Sequence, residues 1–309
     1  MRLATFQKNG IASLGVIVED WMIDLEVAYR SLYEVGNESH SIFANMLNLL
    51  QSYKIGFPLI NDFITKVKQL SPSELSTFLN DGIIISLEDM IYLAPILNPG
   101  KLICVGLNYP SYKRRNSDQS PAYPVLFHKV ATSLVGHGGM VLYPQNANGL
   151  LYEGELALVI GMRGKYISRE NACSFIAGYT IANDIGSPDL ESRTSQWTTG
   201  KMLDTFCPLG PFIVTCDEVK DPNQLQIRTY LNGDIVQDGN SSEMIFDVPY
   251  LVSYLSSLVT LEPGDVILTG SPKRNGDQPD PRKLMKPGDE ICVDIECIGK
   301  LCNPIVAEV

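Results

Sequence analysis

The hydrophobic positions change period along the chain. Leu14-Gly15-Val16-Ile17-Val18 and Trp21-Met22-Ile23-Asp24-Leu25, separated by Glu19-Asp20, predict a β-hairpin. The pattern then turns helical, with Ile42, Met46, Leu47, Leu49 and Leu50 on one segment and Leu59, Phe63, Ile64 and Val67 on the next. Ser71-Pro72-Ser73-Glu74 is a capping box with proline at the first helical position, so a further helix is expected there. Two prolines and a glycine interrupt the pattern in Leu93-Ala94-Pro95-Ile96-Leu97-Asn98-Pro99-Gly100. The expected division is therefore a small α+β N-terminal domain, residues 1–95, followed by a larger domain, residues 96–309.

From Lys101 onward the chain is dense in short strands and turns. Asn232-Gly233, between Thr229-Tyr230-Leu231 and Ile235-Val236, is the strongest short hairpin signal. Glu262-Pro263-Gly264-Asp265 and Lys286-Pro287-Gly288-Asp289 are turns leading into Val266-Ile267-Leu268 and Ile291-Cys292-Val293. Helical patterns are sparse here and clearest over residues 169–177 and Val248–Leu258, the latter with Asp247 as N-cap. The fold class expected is α+β and β-rich, with a site built from strand ends and loops.

One stretch concentrates chemistry within this pattern. Tyr152-Glu153-Gly154-Glu155 opens an apolar run, and in a strand side chains at i and i+2 leave the same face, so both carboxylates point to one spot. Gly178-Tyr179-Thr180-Ile181-Ala182-Asn183-Asp184 repeats the design, an apolar strand ending in a carboxylate. Three convergent carboxylates suit a hard divalent cation such as magnesium, manganese or calcium. Spacing alone favours a solvated strand face with Asp184 capping a turn, since such pairs are common on strands.

The 309 residues carry a formal net charge of −11, and no basic face is visible, which argues against nucleic-acid or anionic-membrane partners. Neither a secretory leader nor a membrane span is readable, and the seven scattered cysteines fit reduced thiols in a cytoplasmic compartment. Cys292, Cys297 and Cys302 recur every five residues without the partners a zinc site needs. His40 and His137 fall in polar loops and read as solvated. His128, between Phe127 and Lys129, points away from the face those two share.

Several loops add polar groups. Cys104-Val105-Gly106-Leu107-Asn108-Tyr109 ends a strand and opens residues 110–124, long enough for a lid and carrying Lys113, Arg114 and Arg115, which suit an anionic substrate and equally a solvated loop. Gln196-Trp197-Thr198-Thr199-Gly200-Lys201 and Thr269-Gly270-Ser271-Pro272 each pair a glycine bend with a polar side chain.

Taken with Ala177-Gly178-Tyr179, Asp204-Thr205-Phe206-Cys207-Pro208-Leu209-Gly210-Pro211 and Gln237-Asp238-Gly239-Asn240, these stretches resemble the fumarylacetoacetate hydrolase superfamily, in its branch with a small N-terminal domain, over nearly the whole chain. The resemblance implies a mixed β-roll catalytic domain and a two-fold homodimer. It also implies a metal ion, Mg2+ or alternatively Mn2+ or Ca2+, on Glu153, Glu155 and Asp184. A pocket for a 2-oxo acid or 1,3-dicarbonyl compound would be lined by Asn108, Tyr109, Arg115, Glu191, Thr269, Gly270 and Ser271. The implied enzyme works through a metal-bound enolate.

Departures from the family pattern bear on mechanism. Where the family commonly has a lid histidine and glutamate that activate water, this chain has Tyr112 and Arg115, and where it often has arginine and glutamine after the metal aspartate, this chain has Pro188 and Glu191. Proline cannot replace a guanidinium's grip on a carboxylate. The catalytic expectation therefore falls on Lys201, whose ammonium a nearby dication would destabilise, and on Tyr112 as a proton donor. C–C bond hydrolysis or decarboxylation is the family's usual chemistry. The alternatives are an isomerase or tautomerase, a dehydratase or cyclase, or a catalytically silent member.

Overall fold

The structure is a computed structural model, and the residues it describes are 1–33, 41–88, 90–110, 120–274 and 284–308. Four strands come from the first ninety residues: β1 (Arg2–Lys8), β2 (Ile11–Val18), β3 (Trp21–Asp24) and β4 (Ile84–Ser86). The next five are β5 (Leu102–Gly106), β6 (Val125–His128), β7 (Leu134–Val135), β8 (Val141–Tyr143) and β9 (Gly154–Ile160). The remainder are β10 (Ile176–Asn183), β11 (Cys207–Thr215), β12 (Gln226–Leu231), β13 (Asp234–Asn240), β14 (Val266–Leu268), β15 (Glu290–Ile295) and β16 (Gly299–Ala307). Helices α1 (Leu25–Tyr33), α2 (Met46–Gln51), α3 (Tyr53–Lys68) and α4 (Pro72–Asn80) lie between β3 and β4. Two short ones, α5 (Pro188–Glu191) and α6 (Thr198–Lys201), follow β10, and α7 (Val248–Leu258) precedes β14.

The fold is mixed α+β and strand-rich, as the pattern predicts. The larger sheet runs β4-β3-β2-β1-β11-β10-β9-β14-β5-β6, with β7 on β11, and the smaller runs β13-β12-β15-β16-β8. The N-terminal hairpin thus continues the sheet of the rest of the chain, through β1 against β11. β1 escapes the sequence pattern because it is a central strand with Leu3, Ala4, Thr5 and Phe6 all buried. Its polar Thr5 hydroxyl donates to the Pro95 carbonyl at 2.8 Å.

β9 and β11 are buried at every position and β10 at all but one, as expected of strands covered on both faces. The turn at Asn232-Gly233 has both residues at positive φ, 52° and 87°, as a type I′ hairpin requires. Ser71 and Glu74 form the capping box, and Asp247 caps α7 by accepting from the Tyr250 N–H. The helical reading of residues 169–177 holds only in part, since a 3-10 turn over Arg169–Phe175 gives way to β10 at Ile176.

The reduced-thiol expectation is overturned at one place. Cys292 and Cys302 are register partners on adjacent antiparallel strands, with Cα atoms 4.1 Å apart, and form a disulfide. Their five-residue spacing about Cys297 is hairpin symmetry, with Cys297 in the tight turn at φ 63°. His137 is likewise not a solvated loop residue: it is half-buried, and its Nδ1 accepts the Cys302 backbone N–H at 3.0 Å. His40 lies outside the described residues. Among them, no helix is long and apolar enough to cross a membrane.

Candidate metal centre

The site begins at the first residue of β9. A Cβ on Gly154 would lie 2.3 Å from Thr229 Oγ1 and 2.9 Å from Val293 Cγ1, so that side of the strand is pressed against the smaller sheet. Strand alternation sends Glu153 and Glu155 the other way. β10 runs antiparallel to β9 with Ala182 opposite Glu155 and Asn183 opposite Gly154, which delivers Asp184 to the same place. Two hydrogen bonds fix the corner: Asp184 N–H to the Glu153 carbonyl at 2.8 Å, and Glu153 N–H to Asn183 Oδ1 at 2.9 Å. One carboxylate oxygen from each of Glu153, Glu155 and Asp184 lies within 4.8 Å of the others.

Three cationic side chains surround this cluster. Lys129 Nζ donates to Asp184 Oδ1 at 2.5 Å and to the Ile185 carbonyl at 2.9 Å. Lys201 Nζ donates to Glu153 Oε2 at 2.6 Å, to the Asp184 carbonyl at 2.9 Å and to Asp184 Oδ2 at 3.1 Å. Arg274 pairs with Glu153 Oε1 and donates to the Tyr152 carbonyl at 3.3 Å. Burial raises the Asp184 pKa, but Lys129 and Lys201 outweigh it and hold the carboxyl below its usual range. Burial pulls the Lys201 ammonium down, yet Asp184, Glu153 and Glu191 hold it well above its usual range.

Glu155 is the exception. Burial, with Asp184 and then Glu153 beside it, pushes its carboxyl well above the ordinary range, against the Gly270 N–H that donates to Oε2 at 2.7 Å. A desolvated carboxylate facing two others ionises readily only beside a further positive charge. The oxygen-only donor set and the unmet charge demand at Glu155 fit a hard divalent cation held by Glu153, Glu155 and Asp184.

The three carboxylates, Lys201 and Arg274 line a cavity of about 300 Å³, with Lys129 buried behind Asp184. Lys201, Glu191, Gly270 and Ser271, all expected in the pocket, line it. Asn108, Tyr109 and Thr269 stand behind its wall instead. Asn108 is buried with its amide committed to backbone: Nδ2 donates to the Phe246 and Thr269 carbonyls, and Oδ1 accepts the Phe246 N–H. Tyr109 belongs to the hydrophobic core, and Thr269 Oγ1 donates to the Leu156 carbonyl at 2.8 Å. Their role is to brace the loops that carry Gly270 and Leu107. Tyr112 and Arg115 lie outside the described residues.

Sequence reasoning missed Lys129, Arg274, Phe127 and Trp197. The alternation that turns His128 outward puts Phe127 and Lys129 inward together, and this was the available signal for Lys129. Arg274 has no local signature. Trp197 fits only because residue 106 is glycine: a Cβ there would sit 2.4 Å from the indole ring. The Trp197 ring meets Phe127 edge-on at 5.7 Å, closing the apolar side.

Residues 101–306 match the family model described as fumarylacetoacetate (FAA) hydrolase C-terminal. A mitochondrial oxaloacetate tautomerase of Xenopus laevis is 41% identical over 225 residues, covering 72% of this chain and 70% of the relative. The oxaloacetate tautomerase YisK of Bacillus subtilis (strain 168) is 36% identical over 316 residues, 99% of this chain and all of the relative. Among solved structures, maleylpyruvate hydrolase of Sphingobium sp. SYK-6, in complex with manganese(II) and pyruvate, superposes over the full length of both chains with a TM-score of 0.76 at 26% identity.

Proposed function

The chain belongs to the fumarylacetoacetate hydrolase superfamily and is an enzyme of that family, and on that premise we propose a divalent-metal-dependent tautomerase of a 2-oxo dicarboxylic acid of the oxaloacetate kind. The observation that carries this reading is the make-up of the cavity wall. It combines the carboxylate cluster with Lys201 and Arg274, and among the described residues no histidine lines it. His128 is exposed on an edge strand and His137 is bound to Cys302. Among the described residues the wall thus offers carboxylates, an ammonium and a guanidinium, groups suited to move a proton and to stabilise an enolate.

Held by Glu153, Glu155 and Asp184, a magnesium or manganese ion would supply Lewis-acid polarisation of the 2-oxo group. Lys201 and Arg274 attract the anionic substrate and stabilise negative charge on its oxygens. Phe127 and Trp197 keep water off one side, which strengthens those interactions. The two tautomerase names among the relatives support the same reaction.

The test follows the enol of oxaloacetate by its ultraviolet absorbance, with manganese and with chelator, and identifies products by NMR. Metal-dependent loss of enol with the carbon skeleton intact is expected. Efficient cleavage of acylpyruvates would overturn the reading in favour of a hydrolase. A two-fold homodimer is part of the proposal, checked by light scattering. The expected cytoplasmic location meets a mitochondrial name in the Xenopus relative, and cell fractionation decides between them.

A further inference from the structure

Among the described residues, Glu191 is the one cavity carboxyl outside the metal-ligating cluster. Its Oε1 is buried and has no hydrogen-bond partner among the described residues. The chain makes room for it with two glycines. A Cβ on Gly186 would lie 2.1 Å from Glu191 Oε1 and 2.9 Å from Lys201 Cε, and a Cβ on Gly200 would lie 2.4 Å from Glu191 Cγ. Both side chains therefore meet over Gly186, at the cavity wall. The backbone fixes this arrangement, since Ser187 N–H donates to the Gly200 carbonyl at 3.0 Å and Glu191 N–H to the Ser187 carbonyl at 2.9 Å.

A buried polar atom without a partner costs free energy, of order 1–3 kcal/mol. Around Glu191 stand Lys201, Glu153, Asp184 and Lys129, and burial, aided by the two carboxylates and opposed by Lys201, lifts its carboxyl above the ordinary range. A carboxyl so placed, beside the Lys201 ammonium at the cavity wall, can both take and return a proton.

Building on the tautomerase reading, we propose that Glu191 is the catalytic proton carrier, moving one proton between the substrate's enol oxygen and C3. From the enol, the Glu191 carboxylate removes the hydroxyl proton, breaking O–H and leaving an enolate with Glu191 neutral. The carboxyl then gives that proton to C3, forming C–H as the C–C double bond's electron pair becomes the new bond and the C=O closes. Glu191 ends as the carboxylate. No other reactant is consumed, and Lys201 stays an ammonium throughout, stabilising the enolate oxygen.

The experiment uses the full chain with manganese and compares wild type with Glu191→Gln and Glu191→Ala. It measures oxaloacetate tautomerisation, deuterium uptake at C3 of pyruvate in D2O, and calorimetric affinity for oxalate, a mimic of the enolate. Glu191→Gln should cut both proton-transfer rates by about 10²–10⁴-fold, the usual worth of a positioned acid–base group, with oxalate affinity unchanged. Formate should restore part of the rate to Glu191→Ala, which a packing role would not do, and if that variant fails to fold, Glu191→Gln carries the test. Wild-type rates in Glu191→Gln, or loss of oxalate binding along with exchange and no formate rescue, would overturn the proposal while leaving the tautomerase reading standing. Glu191-dependent exchange into pyruvate without oxaloacetate tautomerisation would uphold Glu191 as the proton carrier and overturn the tautomerase reading. If wild type exchanges neither acid, both fall.

Discussion

Replacing Lys129 with methionine removes a charge and keeps the side-chain stem. In the wild type the Lys129 side chain is 0% exposed and Asp184 1%, and the two are 2.5 Å apart. Removing one partner of such a pair strands the other in low dielectric, at about 3–5 kcal/mol. Lys201 still reaches Asp184 Oδ2 at 3.1 Å, which keeps the cost toward the lower figure. With 309 residues and an unfolding entropy of about 2.1 cal/mol/K per residue, the total is about 0.65 kcal/mol/K, so Lys129→Met should lower Tm by about 5–8 °C. The exposed pair Arg163–Glu262 serves as control, because Arg163→Met should cost no more than about 1 kcal/mol. The decisive assay is a double-mutant cycle with Asp184→Asn, followed by thermal unfolding in chelator. The double variant should be well short of the sum of the single losses, since it leaves no stranded charge. Additivity within about 0.5 kcal/mol, or a Lys129→Met shift no larger than the control's, would refute the reasoning.

Further outcomes follow from the same geometry. The Glu155 carboxyl is raised in the fold, so it contributes a penalty absent below about 4.5, where an unperturbed glutamate ionises, and growing as pH rises toward its folded value. Glu155→Gln should therefore raise Tm at neutral pH in chelator yet abolish stabilisation by manganese, and a variant that still gains from manganese would contradict this. Asp184 has the opposite sign: its pairing with the lysines stabilises above 3.8 and is lost as pH falls through its depressed folded value, to be seen as a shallower acid limb of stability in Asp184→Asn. Gly106→Ala must displace the Trp197 ring, 2.4 Å from the new Cβ, and should raise KM about tenfold or more at little cost in Tm; unchanged KM counts against Trp197 as a wall of the substrate cavity. Cys302→Ser opens the 10-residue link to Cys292 and should cost about 2–3 kcal/mol in urea unfolding, no change meaning that the two thiols are not bonded.

What the sequence made legible follows the range of its interactions. Local signals were reliable: the capping box at Ser71, the I′ turn at Asn232 and the N-cap at Asp247 are written in neighbouring residues. The E-x-E pair was legible because strand alternation alone aims both carboxylates one way. Its convergence with Asp184 needed the β9–β10 register, which spacing does not give. Long-range pairing hid the rest. β1 lies beside β11, some two hundred residues away, so its four buried positions in a row show no alternation. Cys292 and Cys302 pair through hairpin register, not through a spacing motif. Asn108 illustrates a different limit: a polar residue beside a pocket reads as a ligand contact until the backbone groups of Phe246 and Thr269 are seen to occupy its amide.

The central claim is that Glu153, Glu155 and Asp184 hold one divalent cation. Its most direct measurement is anomalous diffraction at the manganese edge from crystals grown with manganese and oxalate. The account predicts a single strong peak among the three carboxylates, absent from crystals of Glu155→Ala. No peak there, or a peak that survives the loss of Glu155, would contradict it.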